Sequence, residues 1–138
     1  MSISRNQQHF IIMTVIYDEI TDFVVGKGET FRDATKLIEE LTNQPFDQVD
    51  DYIKRTVALS LQNYGKIISA FEPFLINWKW ERLPLLTQAV LIMSYAHYYF
   101  VEKVDRKVVI NVAIELAKKY IDPKQAKFIN AILEKVLA

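Results

Sequence analysis

An all-α fold follows from three features of this sequence. Alternation of apolar and polar residues at period two is scarce. Apolar residues instead recur at three- and four-residue spacing along nearly the whole chain, and the gaps between these runs carry capping residues and prolines. With 138 residues, 51% apolar and 25% charged, the chain is long enough to bury a core as a single helical domain over residues 1–138.

The first helix is expected over 4–21, with Phe10, Met13, Ile16, Tyr17 and Ile20 on one face. Gly26-Lys27-Gly28 breaks that pattern, and without a following Lys-Ser or Lys-Thr it reads as a loop rather than a phosphate cradle. Thr30 and Asp33 resemble a capping box for a helix over 30–42. Asp47 is placed to cap a third helix running to Tyr64, where Gly65 would stop it. A fourth helix follows over 66–79, with Phe71, Phe74, Leu75 and Trp78 as its core stripe; Trp80 stays open between core and surface. Pro84, in the first turn, starts a mostly apolar helix to about residue 102. Asp105 caps a helix over 106–120. Asp122-Pro123-Lys124-Gln125 supplies an N-cap carboxylate, a first-turn proline and a glutamine at the capping-box position for a last helix over 123–137. The bundle is expected to divide into two halves near Lys79 to Leu83.

Composition narrows function by exclusion. The chain has no cysteine, so disulfides, thiolate metal sites and thiol nucleophiles are out. His9 and His97 are the only histidines and belong to no metal-ligand pattern. Asp50-Asp51 and Glu39-Glu40 diverge on a helix and read as solvated surface. No serine stands in a nucleophile context, and no cofactor motif appears, so catalysis, metal and cofactors are not expected. The apolar stretch around Leu85 to Val101 is interrupted by Gln88, Ser94 and His97 and reads as a buried helix, not a membrane span. A cytoplasmic location is expected. The net charge is zero, but residues 1–78 hold 7 Lys/Arg against 11 Asp/Glu, while residues 79–138 hold 10 against 6. A polyanion would therefore meet the second half.

The most specific signals lie near the end. Ile110-Asn111-Val112-Ala113-Ile114-Glu115-Leu116-Ala117-Lys118 and Lys127-Phe128-Ile129-Asn130, continuing to Leu133-Glu134-Lys135, resemble the C-terminal signature of the NusB family of transcription antitermination factors. Phe74-Leu75, Trp80-Glu81-Arg82-Leu83 and Gln88-Ala89-Val90-Leu91 resemble that family's approach to its central helix. The resemblance implies a seven-helix bundle in two packed halves. It also implies a factor that binds boxA-like single-stranded RNA together with the small ribosomal protein NusE, at the RNA polymerase elongation complex, in support of ribosomal RNA transcription. The chain departs from the family at its opening helix, where clustered arginines are reduced to Arg5 in Arg5-Asn6-Gln7-Gln8-His9. Val112 and Ala131 stand where the family has Glu and Gly. Fewer phosphate contacts mean weaker, less salt-sensitive RNA binding.

On this resemblance Arg5, Gln8, Lys118, Lys119, Lys124, Lys127 and Asn130 are expected to touch RNA, and His97 and Tyr98 to meet the protein partner. Lys124, Lys127, Ala131 and Lys135 fall near one stripe of the last helix, with Asn130 beside it. An alternative is a module of the same fold specialised for protein interaction or homodimerisation, in which exposed Tyr98, Tyr99 and Phe100 would support self-association. A third is a free-standing relative of the helical domain of ribosomal RNA cytosine methyltransferases, without methyl-transfer activity.

Overall fold

The computed structural model describes residues 2–26, 28 and 30–138. They form seven α-helices and, among the described residues, no strand: α1 Arg5–Val25, α2 Thr35–Thr42, α3 Asp51–Gln62, α4 Tyr64–Phe71, α5 Leu85–Ala96, α6 Arg106–Tyr120 and α7 Pro123–Val136. Short 3₁₀ turns lie at Phe46–Gln48, Glu72–Phe74 and Trp80–Arg82, and a π-turn at His97–Val101 extends α5.

Five of the seven helices, α1, α2, α3, α6 and α7, start where a side chain accepts a free N–H group, and several of these caps differ from the expected ones. At α1 the Ser4 hydroxyl accepts from the Gln7 N–H, and the Gln7 side-chain oxygen accepts from the Ser4 N–H, a reciprocal box. Thr30 does not begin a helix. Asp33 accepts from the Thr35 N–H at 2.9 Å, so α2 starts five residues later than expected. The intervening stretch is held to α1, with Arg32 paired to Asp18 and Asp22 and the Phe31 ring 4.7 Å from Phe23. Asp50, not Asp47, caps α3 by accepting from Tyr52 N–H, and Glu39 accepts from Phe46 N–H. Both are thus more than solvated charge. Gly65 is not a stop: the chain turns at Asn63 and Gly65 lies inside α4. Asp105 and Asp122 cap α6 and α7 as expected. The Gln125 side chain accepts from the Thr87 hydroxyl instead of turning back to its own cap. Of the expected glycine loop, Gly26 ends α1 and Lys27 lies outside the described residues.

The bundle is organised around α5, whose residues Thr87 to Ser94 are all buried. A helix apolar on every side has to be enclosed on every side. Here α1 and α3 pack on it from one half, and α4, α6 and α7 from the other. Helix α4 packs with α3 as well as with α5 and α7 and so joins the two groups of helices. Two polar groups of α5 are satisfied locally: the Gln88 amide donates to the carbonyls of Trp80 and Leu83, and the Ser94 hydroxyl to that of Val90.

The Gln88 bonds tuck the Trp80 turn inward, and Trp80 is 4% exposed. Trp78, expected in the core, is 59% exposed, because α4 ends at Phe71 and the helical stripe stops there. Phe74 and Ile76 are exposed with it, while Phe71 and Leu75 stay buried. Tyr17 also faces out. No described helix is long and apolar enough to cross a membrane.

Candidate nucleic-acid interface

Lysines gather where α6 ends and α7 begins. The two helices pack against each other across the two-residue turn Ile121-Asp122, so Lys118 and Lys119 of the last turn of α6 come to the same end of the bundle as Lys124 and Lys127 of α7. The cations near the C-terminus of α6 also suit its dipole. All four are exposed, as are Asn130 and Lys135, while Ala126, Ile129, Ile132 and Leu133 occupy the buried face of α7. The sequence-predicted basic stripe is therefore a solvent-facing surface.

The other expected RNA contacts are arranged differently. The Arg5 guanidinium donates to Glu102 at 2.6 Å, reaches the Gln8 side-chain oxygen at 3.5 Å and lies 3.6 Å from the Tyr52 ring centroid. This holds α1 to the π-turn. Gln8 is 6% exposed and its amide donates to the Ile3 carbonyl, so its polar edge is turned inward and supports Arg5.

His97 is also interior, 4% exposed. Its Nε2 lies 2.8 Å from Glu102 and its Nδ1 3.3 Å from the Tyr52 hydroxyl. Both ring nitrogens are therefore paired, one with the Glu102 carboxylate and one with the Tyr52 hydroxyl. Burial works against the Glu102 carboxylate, but hydrogen bonds from His97 and Arg5 outweigh it and keep the carboxyl below its ordinary range. Burial pushes the Tyr52 hydroxyl well above its usual value. The π-turn makes this possible: the Glu102 N–H bonds back to the His97 carbonyl, and Arg55 donates to the carbonyls of Phe100 and Val101. His97 is thus a brace and cannot be a surface contact for a partner. The Tyr98 hydroxyl donates to the Ala138 carbonyl and that of Tyr99 to Val136, so both tyrosines are engaged by the chain's own last residues. Tyr98 and Phe100 are half-buried, which leaves Tyr99 as the one exposed member of the expected aromatic patch.

A groove of about 320 Å³ runs between the start of α1 and α6, close to these lysines. Asn6 and His9 line one side, Asn111, Glu115, Lys119 and Tyr120 the other, and Val112 and Leu116 add apolar lining. His9 is 7% exposed and meets Tyr52 edge-on at 5.8 Å. Burial foremost, then the charges of Arg5 and His97, lower its pKa to about 4, so the imidazole is neutral near pH 7. The Tyr120 ring packs 4.9 Å from Phe10, with the Lys119 ammonium 5.5 Å from its centroid. Sequence reasoning passed over this groove. Its one visible signal was Asn111, Glu115 and Lys119 at four-residue spacing; that α1 would lie opposite needed the fold.

The NusB family model matches residues 7–138. A transcription antitermination protein NusB from Clostridium botulinum (strain Kyoto / Type A2) is 34% identical over 130 residues, which cover 92% of this chain and 91% of that protein. The protein of the same description from Listeria welshimeri is 33% identical over 100 residues, 72% of this chain and 78% of the relative. Among solved structures, T. maritima NusB aligns over 99% of this chain and 92% of its own, with a TM-score of 0.79 at 21% identity. A chain of a crystal structure of antitermination factors NusB and NusE in complex with dsRNA aligns over 96% of this chain and 94% of its own, with a TM-score of 0.75 at 20% identity. At these identities the structural likeness speaks for the fold.

Proposed function

The chain belongs to the NusB family, and from that premise we propose that it is an antitermination factor that binds boxA-like RNA together with the small ribosomal protein NusE, in support of ribosomal RNA transcription. The observation that carries this reading is the exposed set Lys118, Lys119, Lys124 and Lys127 at one end of a bundle whose relatives are antitermination proteins. A structural neighbour is a complex of NusB, NusE and RNA, double-stranded in that case, which supports the pairing of RNA with NusE that this reading calls for. The factor acts without catalysis, as one domain, on the RNA polymerase elongation complex in the cytoplasm. Lys118, Lys119, Lys124 and Lys127 hold phosphates, Asn130 donates beside them, and Arg5 contributes from its edge while keeping its bond to Glu102.

The test is a titration of labelled boxA-type RNA with this protein and the ribosomal protein over a range of salt. A ternary complex is expected, with an affinity that falls with salt at a log–log slope of about −3, as four neutralised single-strand phosphates give. Absence of a complex at low salt would refute the proposal. A second reading, self-association, is favoured by exposed Phe74, Ile76 and Trp78, which form an apolar surface on the short segment between α4 and α5.

A further inference from the structure

The α1–α6 groove has the chemistry of an edge reader. The Asn6, His9, Asn111 and Glu115 side chains line it, and none has a hydrogen-bond partner within the protein among the described residues. His9 is buried over most of its ring, yet its nitrogens are not among the buried unpaired atoms, so its polar edge opens onto the groove. The asparagine amides each offer donors and an acceptor, a neutral imidazole offers one of each, and the Glu115 carboxylate accepts only. A phosphate would be repelled by Glu115, whereas an exocyclic amine would donate to it. Tyr120 is braced by Phe10, and its ring becomes a stacking surface at one end once the flexible Lys119, 5.5 Å from its centroid, swings to a phosphate. Proteins read single-stranded RNA by this combination, splaying a base out, stacking it and hydrogen-bonding its edge.

We propose that this groove takes one unpaired, amino-bearing nucleobase of the bound RNA, its edge read by Asn111 and Glu115, its face on Tyr120, and its flanking phosphates on the lysines of the α6–α7 turn. This rests on the RNA-binding reading above and adds a base preference to it. Uracil, which lacks an exocyclic amine, presents a carbonyl where Glu115 needs a donor and is the disfavoured base.

The test measures binding of short oligo(A), oligo(C) and oligo(U) strands, and of an RNA duplex, by fluorescence anisotropy with the ribosomal protein present. Wild type is expected to bind the A or C strand roughly tenfold more tightly than U, and the duplex less tightly than either. Glu115→Gln and Asn111→Ala replace exposed side chains and should bring that ratio near one. Lys127→Ala should weaken all strands alike and reduce the salt slope by about 0.7. A wild type without this preference, variants that keep it, or a duplex bound as tightly as the strands would overturn the groove while leaving the RNA-binding function standing. If no RNA binds at all, both fall.

Discussion

Arg5, His97 and Glu102 bond to one another, with His97 inside and Arg5 at the surface, and this changes what each residue is for. An N-terminal arginine on a chain with a basic half invites a phosphate-contact reading, yet its guanidinium bridges Glu102 and the Tyr52 ring. His9 sits beside this group as a buried base without a proton. With its pKa lowered from 6.5 to about 4, the unfolded chain binds a proton between those values that the folded protein excludes. Stability contributed by neutral His9 is present above about pH 6.5 and is lost as pH falls toward 4. Glu102, whose carboxyl lies below its ordinary 4.5, acts in the same direction but at lower pH. Calorimetric Tm values should therefore drop by several degrees from pH 6.5 to 4.5 in wild type and by distinctly less in His9→Gln. Parallel Tm curves for the two proteins would contradict a buried, neutral His9.

Helix ends show how far local chemistry reaches. Asp105 and Asp122 were legible because an acceptor, a following N–H and, for α7, a proline act within one turn of chain. The α2, α3 and α4 boundaries were not, since each had two plausible signals a few residues apart and packing chose between them. Gly65 is the plainest example. It has the identity of a helix stop, but Asn63 makes the turn, and Gly65 sits in α4 with a negative φ and no atom within 4 Å of where a Cβ would be. Its freedom is then only a cost in the unfolded state, so Gly65→Ala should stabilise the protein by about 0.5–1 kcal/mol. Denaturant midpoints measure this, and a destabilised variant would mean that position 65 is strained.

On the scale of the molecule, apolar surface and charge are kept apart. The lysines stand at the α6–α7 turn, while Phe74, Ile76 and Trp78 project from the segment joining α4 to α5. Self-association through that segment predicts a sedimentation coefficient that rises with concentration in wild type and stays flat in Trp78→Ser. A concentration-independent wild type would remove that reading and leave the patch to other partners. Trp78 also marks where periodicity misled: Phe71, Phe74, Leu75 and Trp78 match a helical stripe, but Glu72-Pro73 tightens the chain into a 3₁₀ turn and carries Phe74 and Trp78 out to the surface, while Leu75 stays buried.

The sequence by itself determined the seven helices, their order, the caps of α6 and α7 and the lysine face of α7, because these depend on spacing and contacts within a few residues. Only the tertiary structure decided that α5 would be enclosed by five helices, that His97 and Gln8 would serve as interior supports with Arg5 bracing them from the surface, and that Asn6 and His9 would line one groove with Glu115. Those outcomes turn on which faces meet across a hundred residues of chain, and such meetings are fixed by the packing of whole helices rather than by neighbouring side chains.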